Sequence, residues 1–428
     1  MKRLILFVLA LASQTALACF GHGNLEPRDI DQPLQLTRRT TPGLPAGKTV
    51  IQNVRIFNGH KITPPTSLYI DGEVISEPFK ITPSTSVRYV NAGNRILIPG
   101  LIDAHIHVPD IEGQENITSW GVTTAMNMAC WNYTLCSYQR TYPQTPEGAG
   151  IASLFYAGLG AAGNGSLHSR IFQVPADELV YPSTNTTQLT QMVDYVFTNG
   201  SDYYKICAEE FGPSQEQQTV IAAETHRLGF PVMTHASAML AYEQAIPTLT
   251  DGLQHIPDDA ILTDEMISAI RANSQFVTPT MNLYKVAIAN PQAVELLRGY
   301  LPTNETYAAV IENVSRLHQA GIPVLAGTDS VGPYIANDPT APNPLGLSLH
   351  YELQNLVEAG FTPAEALRSA TSLTAEMHLL KDRGVIAPGF RADLVLLDAD
   401  PLVNISNTQQ IVMVMVAGIE FSGLGNSL

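Results

Sequence analysis

The sequence predicts an α/β protein: a (β/α)8 TIM barrel with a small β-sandwich assembled from the two flanks of the chain. Three observations carry that expectation. Between residues 99 and 383, short β-branched or apolar runs alternate eight times with helix-like stretches, the signature of a parallel sheet closed by crossover helices. Both flanks are β-rich, broken by Gly, Pro and Asn-Gly turns, and carry no helical period. Metal-ligand residue types recur where the short runs end, and that is the rim where barrel enzymes place their chemistry.

The elements follow in order. Lys2 and Arg3, an apolar run over 4–11 and Ala16-Leu17-Ala18 form the three-part pattern of a secretory signal peptide, residues 1–18. Residues 19–45, rich in Pro and polar side chains, read as an extended arm. Residues 46–98 hold strand-like runs at 50–57, 67–70 and 96–98, the first part of the sandwich. The barrel strands are expected at 101–108, 123–129, 153–159, 203–208, 231–236, 252–256, 276–281 and 323–330. Helical patterns at 217–228, 264–272 and 308–320 lie between them, and Gly229 and Gly321 follow as stop signals. Residues 384–428 complete the sandwich, with runs at 384–386, 393–397 and 411–416.

Composition bounds the partners. Of 428 residues, 45% are apolar and 14% charged, enough for a sizeable core. The 23 Lys+Arg against 39 Asp+Glu give a net charge of −16, which repels phosphate backbones and anionic lipid. A nucleic-acid or membrane role is therefore not expected.

Asn-x-Ser/Thr occurs at Asn116, Asn132, Asn164, Asn185, Asn199, Asn304, Asn313 and Asn404, pointing to a glycoprotein secreted through a eukaryotic secretory pathway. In an oxidising destination Cys130 and Cys136 can pair locally, although spacing alone leaves two free thiols equally open. Cys19 and Cys207 have no evident mate.

At the first strand end stand His105 and His107. Two residues apart on a strand, they point to one side and can share one ion. Lys205 closes the fourth strand, His235 the fifth, His255 the sixth and Asp329 the eighth. Each alone is easily a satisfied core residue; six at one rim are a ligand set. The other His lie in loops or helices and read as structural, His168 excepted.

The run Ile98-Pro99-Gly100-Leu101-Ile102-Asp103-Ala104-His105-Ile106-His107 resembles the first-strand signature of the amidohydrolase superfamily. So do Ala359-Gly360-Phe361-Thr362-Pro363-Ala364-Glu365-Ala366-Leu367 and the closing segment 384–398. The resemblance spans roughly 48–422 and leans to the imidazolonepropionase-like branch that holds Xaa-Pro dipeptidases and ochratoxinase-like amidases. It implies two divalent ions, zinc by ligand type: His105, His107 and Asp329 on the more buried one, His235 and His255 on the more exposed one. Lys205 would be carboxylated (N6-carboxylysine) and bridge them. A free ammonium would be repelled by two cations, so the alternative is an unmodified Lys205 with Glu209 or Glu210 as the bridge. Asp329 would be the catalytic base and then acid around a metal-bridged hydroxide.

Two departures from the branch pattern matter. Its Gly-Gly-His-Gly after the third strand is replaced here by Ala161-Ala162-Gly163-Asn164-Gly165, so Asn164 or His168 becomes the candidate substrate donor, and a glycan on Asn164 is disfavoured. After His235 the run Ala236-Ser237-Ala238-Met239 lacks the Glu of the mononuclear deaminases. The expected activity is hydrolysis of an amide or peptide-like C–N bond in an N-acyl amino acid, dipeptide or related small amide. Deamination or lactone/ester hydrolysis is the first alternative, and a non-catalytic secreted binding protein the second. Relatives often assemble, which leaves a homo-oligomer open.

Overall fold

The computed structural model describes residues 47–79, 86–130, 132–298 and 304–422. The expected signal peptide (1–18), the arm (19–45) and Cys19 lie outside the described residues. No helix among those described is long and apolar enough to cross a membrane.

The chain is mixed α/β. Strands β1 to β5 are Lys48–Ile56, Thr66–Asp71, Val74–Ser76, Val87–Asn91 and Ile96–Pro99. Strands β6 to β12 are Leu101–Ile106, Val122–Asn127, Ser153–Tyr156, Tyr204–Cys207, Val232–His235, Gly252–Gln254 and Phe276–Thr278. β6-β7-β8 and β9-β10-β11-β12 form two parallel sheets. Parallel bridges join them: Ala157 to Tyr203 at one junction, Val277 to Val324 and Ile106 to Ser330 at the other. The expected eighth strand, 323–330, is thus held by isolated bridges rather than a continuous ladder. Its irregularity has a local cause. Gly327 sits so near the first strand that a Cβ would stand 2.8 Å from the His105 nitrogen. Asp329 then turns left-handed at φ 51°.

Helices fill the intervals and are bounded by their own side chains. Asn185 with Gln188 and Ser214 with Gln217 make capping boxes on Thr186–Thr198 and Gln215–Arg227. Gly229 and Gly321, at φ 86° and 71°, follow the helix ends as expected.

The flanks share one hydrogen-bonded path. With β13 (Leu394–Leu397), β14 (Ile411–Val416) and β15 (Ile419–Glu420), its order is β15-β14-β13-β5-β1-β2-β3, and β4 adds to β1. The N- and C-terminal parts meet where β5 pairs antiparallel with β13, Ile98 opposite Val395. β1 changes register between Ile51 and Val54, so its first half pairs with β2 and β4 and its end with β5. Ile51, Val54, Ile70, Leu97, Leu394 and Met413 form the cluster beneath. The expected strand at 384–386 is absent; a bend occupies it, with Gly384 at φ 87° packed on Ala375.

Candidate metal centre

The two sheets bring the predicted ligands to one cavity. His105, His107, Lys205, His235, His255 and Asp329 all line it, and His168 joins them. Asn164 does not: it is exposed, its backbone N–H bonded to the Val180 carbonyl.

His105 and His255 are each held by partners from other segments of the chain. His105 is the fifth residue of β6, and its Nδ1–H donates to Gln254 Oε1 at 2.9 Å. That bond fixes the tautomer and leaves Nε2 for the cavity. Asp103, fully buried, accepts from the His105 and Thr328 N–H groups (3.1 and 3.2 Å) and from the Thr328 hydroxyl (2.8 Å). It ties the first strand to the segment bearing Asp329. Burial raises the Asp103 carboxyl to about 7 against those hydrogen bonds. Asp329, the residue after Thr328, donates its own N–H to the His105 carbonyl at 2.7 Å.

His105 Nε2 and His107 Nε2 lie 3.3 and 3.0 Å from Asp329 Oδ1. Tetrahedral bonds of about 2.0–2.1 Å would set neighbouring donors about 3.3 Å apart, so these three atoms already stand at coordination spacing. His235, the last residue of β10, keeps a buried Nδ1 with no hydrogen-bond partner among the described residues. An orphaned imidazole nitrogen facing a ligand cluster is what a metal site without its ion leaves behind. The donor set fits a divalent cation.

Sequence reasoning did not reach the device around His255. This residue follows β11 at φ 74°, pinned by its N–H to the Thr278 carbonyl and by Tyr242 hydroxyl to its own carbonyl, both 2.8 Å. Its Nδ1 meets Thr280 Oγ1 at 2.8 Å. Thr280 is the N-cap of helix Met281–Ala289, yet its side chain does not cap that helix. Glu352, fully buried, accepts the Met281 and Asn282 N–H groups instead, at 2.9 and 2.7 Å. The distant carboxylate caps the helix and releases the threonine hydroxyl for the histidine.

His168 arrives from helix Leu167–Ile171, after β8. Its backbone N–H and Nδ1 both reach the Glu209 carboxylate, at 3.0 and 2.8 Å, and its ring lies 4.2 Å from that of His235. Ligand atoms of His168, Glu209 and His235 form a second group of metal-binding type. Burial opposes ionisation of Glu209, but the His168 imidazole and hydrogen bonds outweigh it and hold the carboxyl below its usual range. Glu210 is exposed.

Burial dominates the remaining titrations. It lowers His105 to about 3, aided by Lys205, and takes His235 and His255 well below the ordinary imidazole range. It lowers the Lys205 amine to about 8. Burial alone would raise Asp329; the surrounding imidazoles reverse that and hold it well below the carboxylate range. The site therefore offers neutral imidazoles and an anionic carboxylate, the protonation states a cation needs.

The family model described as "Amidohydrolase family" matches residues 178–420. The chain belongs to the amidohydrolase family. Among curated relatives it is 23% identical over 349 residues to adenine deaminase 1 of Agrobacterium fabrum, covering 77% of this chain and 52% of that one. The amidohydrolase chain thus spans about half the length of that relative. In structure it is similar to a Xaa-Pro dipeptidase with bound methionine in the active site, with a TM-score of 0.74 and 19% identity over 87% of this chain and 99% of the other. It is also similar to A. niger ochratoxinase, with a TM-score of 0.70 and 18% identity over 90% and 98%. At those identities the likeness is one of fold.

Outside the site, Cys130 and Cys136 are joined in a disulfide, and Cys207 is buried with a free thiol. Asn116, Asn132, Asn185, Asn304 and Asn404 are exposed and Asn199 is half-buried. Asn313 must be withdrawn as a glycan site. It is fully buried, its amide donating to the Pro257 and Ala260 carbonyls and accepting from the Leu262 N–H. A sequon signals attachment only where the nitrogen meets solvent.

Proposed function

We propose that this amidohydrolase cleaves an amide or peptide-like C–N bond in a small molecule, using two divalent ions, zinc by donor type. The ligands would be His105, His107 and Asp329 for one ion, His235 and His255 for the other, and a carboxylated Lys205 between them. The convergence of these six side chains on one cavity, with Asp329 Oδ1 3.0–3.3 Å from two imidazoles, is the observation that carries the reading. We read the bridged circuit of eight parallel segments as a closed (β/α)8 barrel over 99–383, and the flank strands, bent at the β1 irregularity, as the sandwich over 46–98 and 384–428.

Bound there, divalent cations supply Lewis-acid polarisation of the carbonyl and an acidified water. The protein supplies the rest. Asp329 is placed to accept the proton of the attacking water and return it to the leaving amine. His168, oriented by Glu209, takes the place of the branch's third-strand histidine as donor to the substrate oxygen. The lowered Lys205 amine is neutral often enough near pH 7 to add CO2, which a full ammonium cannot. The Cys130–Cys136 disulfide supports an oxidising, extracellular destination for a processed and glycosylated chain.

Metal analysis of the purified full-length protein tests this: about two equivalents are expected after zinc reconstitution, and less than one sinks it. The second reading, deamination, is favoured by the adenine deaminase relative. Product analysis separates the two, since release of ammonia alone from an aminopurine would decide for a deaminase.

A further inference from the structure

Away from the ligand cluster one side of the cavity is walled by carbon, while Ser237, Asp258, Tyr284 and Glu305 also contribute to its lining. Helix Met281–Ala289 contributes Leu283, Ala287 and Ile288, helix Pro291–Arg298 adds Val294, and Ile171 and Phe172 close in from the loop after β8. Ile171 and Leu283 pack on one buried cluster around Ala287 and Val294. The two segments therefore make an apolar roof over part of the site. Phe172 also lies 5.2 Å, ring to ring, from His168, so the roof begins beside the group we assign to the substrate oxygen.

The cavity, shared with the ligand cluster and partly open, has a volume of about 110 Å³. That is a little under the roughly 150 Å³ cavity known to take up benzene. A polar substituent held against these carbons would lose water there for no hydrogen bond in return, whereas a hydrocarbon group would gain by transfer.

We propose that the roof selects amides in which the group beside the scissile bond is an aromatic ring or a branched alkyl group. The inference rests on the hydrolase reading and adds to it the substrate class.

The test uses the full-length, zinc-loaded protein with acetamide, benzamide and 2-naphthamide, following binding by ligand-observed NMR and cleavage by acid release. Benzamide should exceed acetamide in kcat/KM by about a hundredfold, the range an apolar pocket can discriminate. Ala287→Leu, which fills the roof, should lower the benzamide-to-acetamide ratio at least tenfold. Ile288→Ala, which enlarges it, should raise 2-naphthamide relative to benzamide. Equal binding and cleavage of the three amides overturns the pocket assignment while leaving the hydrolase reading intact. Selective binding of benzamide with no cleavage of any amide supports the pocket and overturns the hydrolase reading. Neither binding nor cleavage overturns both.

Discussion

Replacing Thr280 with valine removes one hydroxyl and nothing else of consequence. Valine has the same branched shape, and threonine already occupies the left-handed φ of 50°, so the substitution adds no backbone strain of its own. The helix it precedes does not depend on it, because Glu352 holds the Met281 and Asn282 N–H groups. What changes is His255, whose buried Nδ1 loses its 2.8 Å partner. A buried polar atom left unsatisfied costs about 1–3 kcal/mol, and loss of the group that orients a metal-binding histidine weakens affinity about 10–100-fold. Thr280→Val should therefore hold one of two zinc equivalents that much more loosely, and Thr280→Ser should restore it. Zinc content after dialysis against graded chelator, with circular dichroism to check the fold, reads both. Two equivalents retained within twofold of the parent affinity would refute the positioning argument.

Four further outcomes can be checked. Carboxylation needs the neutral amine, so with Lys205 lowered to about 8 the neutral fraction grows about fivefold between pH 7 and pH 8. The initial rate of zinc reconstitution of the apoprotein in bicarbonate should rise in step, and Lys205→Ala should abolish the 13C carbamate resonance. Asp329→Asn should lower kcat by at least about a hundredfold, in line with loss of a general base, measured on the best amide. His168→Ala should lower kcat about a hundredfold with a smaller change in KM, as for loss of one oxyanion donor; Glu209→Gln, which keeps the ring but loosens its aim, should lose less. Cys130→Ser with Cys136→Ser opens a loop of about seven residues and should cost about 2 kcal/mol by the chain-entropy relation, read as a lower chemical-denaturation midpoint.

Strand–helix alternation was legible because a buried parallel strand is a short apolar run, and seven of the eight expected runs contain a strand. The eighth, around Val324 and Ser330, reads as a strand by composition but is broken by Gly327 and the left-handed Asp329, which trade ladder regularity for closeness to His105. Among the flank strands, β4 (Val87–Asn91) escaped notice, because Arg88 and Asn91 interrupt its apolar pattern. Glu352 was unreadable as a helix cap, since 71 residues separate it from Met281. Asn313 misled for the opposite reason: its sequon is intact, but the packing of helix Tyr307–Gln319 turns the amide inward.

Sequence by itself determined the candidate ligands, because a strand's two-residue period states which side chains share a face and the end of a run states which rim they occupy. Only the tertiary structure decided that the nitrogens and Asp329 Oδ1 stand at coordination spacing, that Thr280 serves His255 rather than its own helix, and that carbon from two segments roofs part of the cavity. Periodicity is a property of the local backbone. Distances between strands and the partners of buried polar atoms are set by packing among segments far apart in the chain, which no local pattern records.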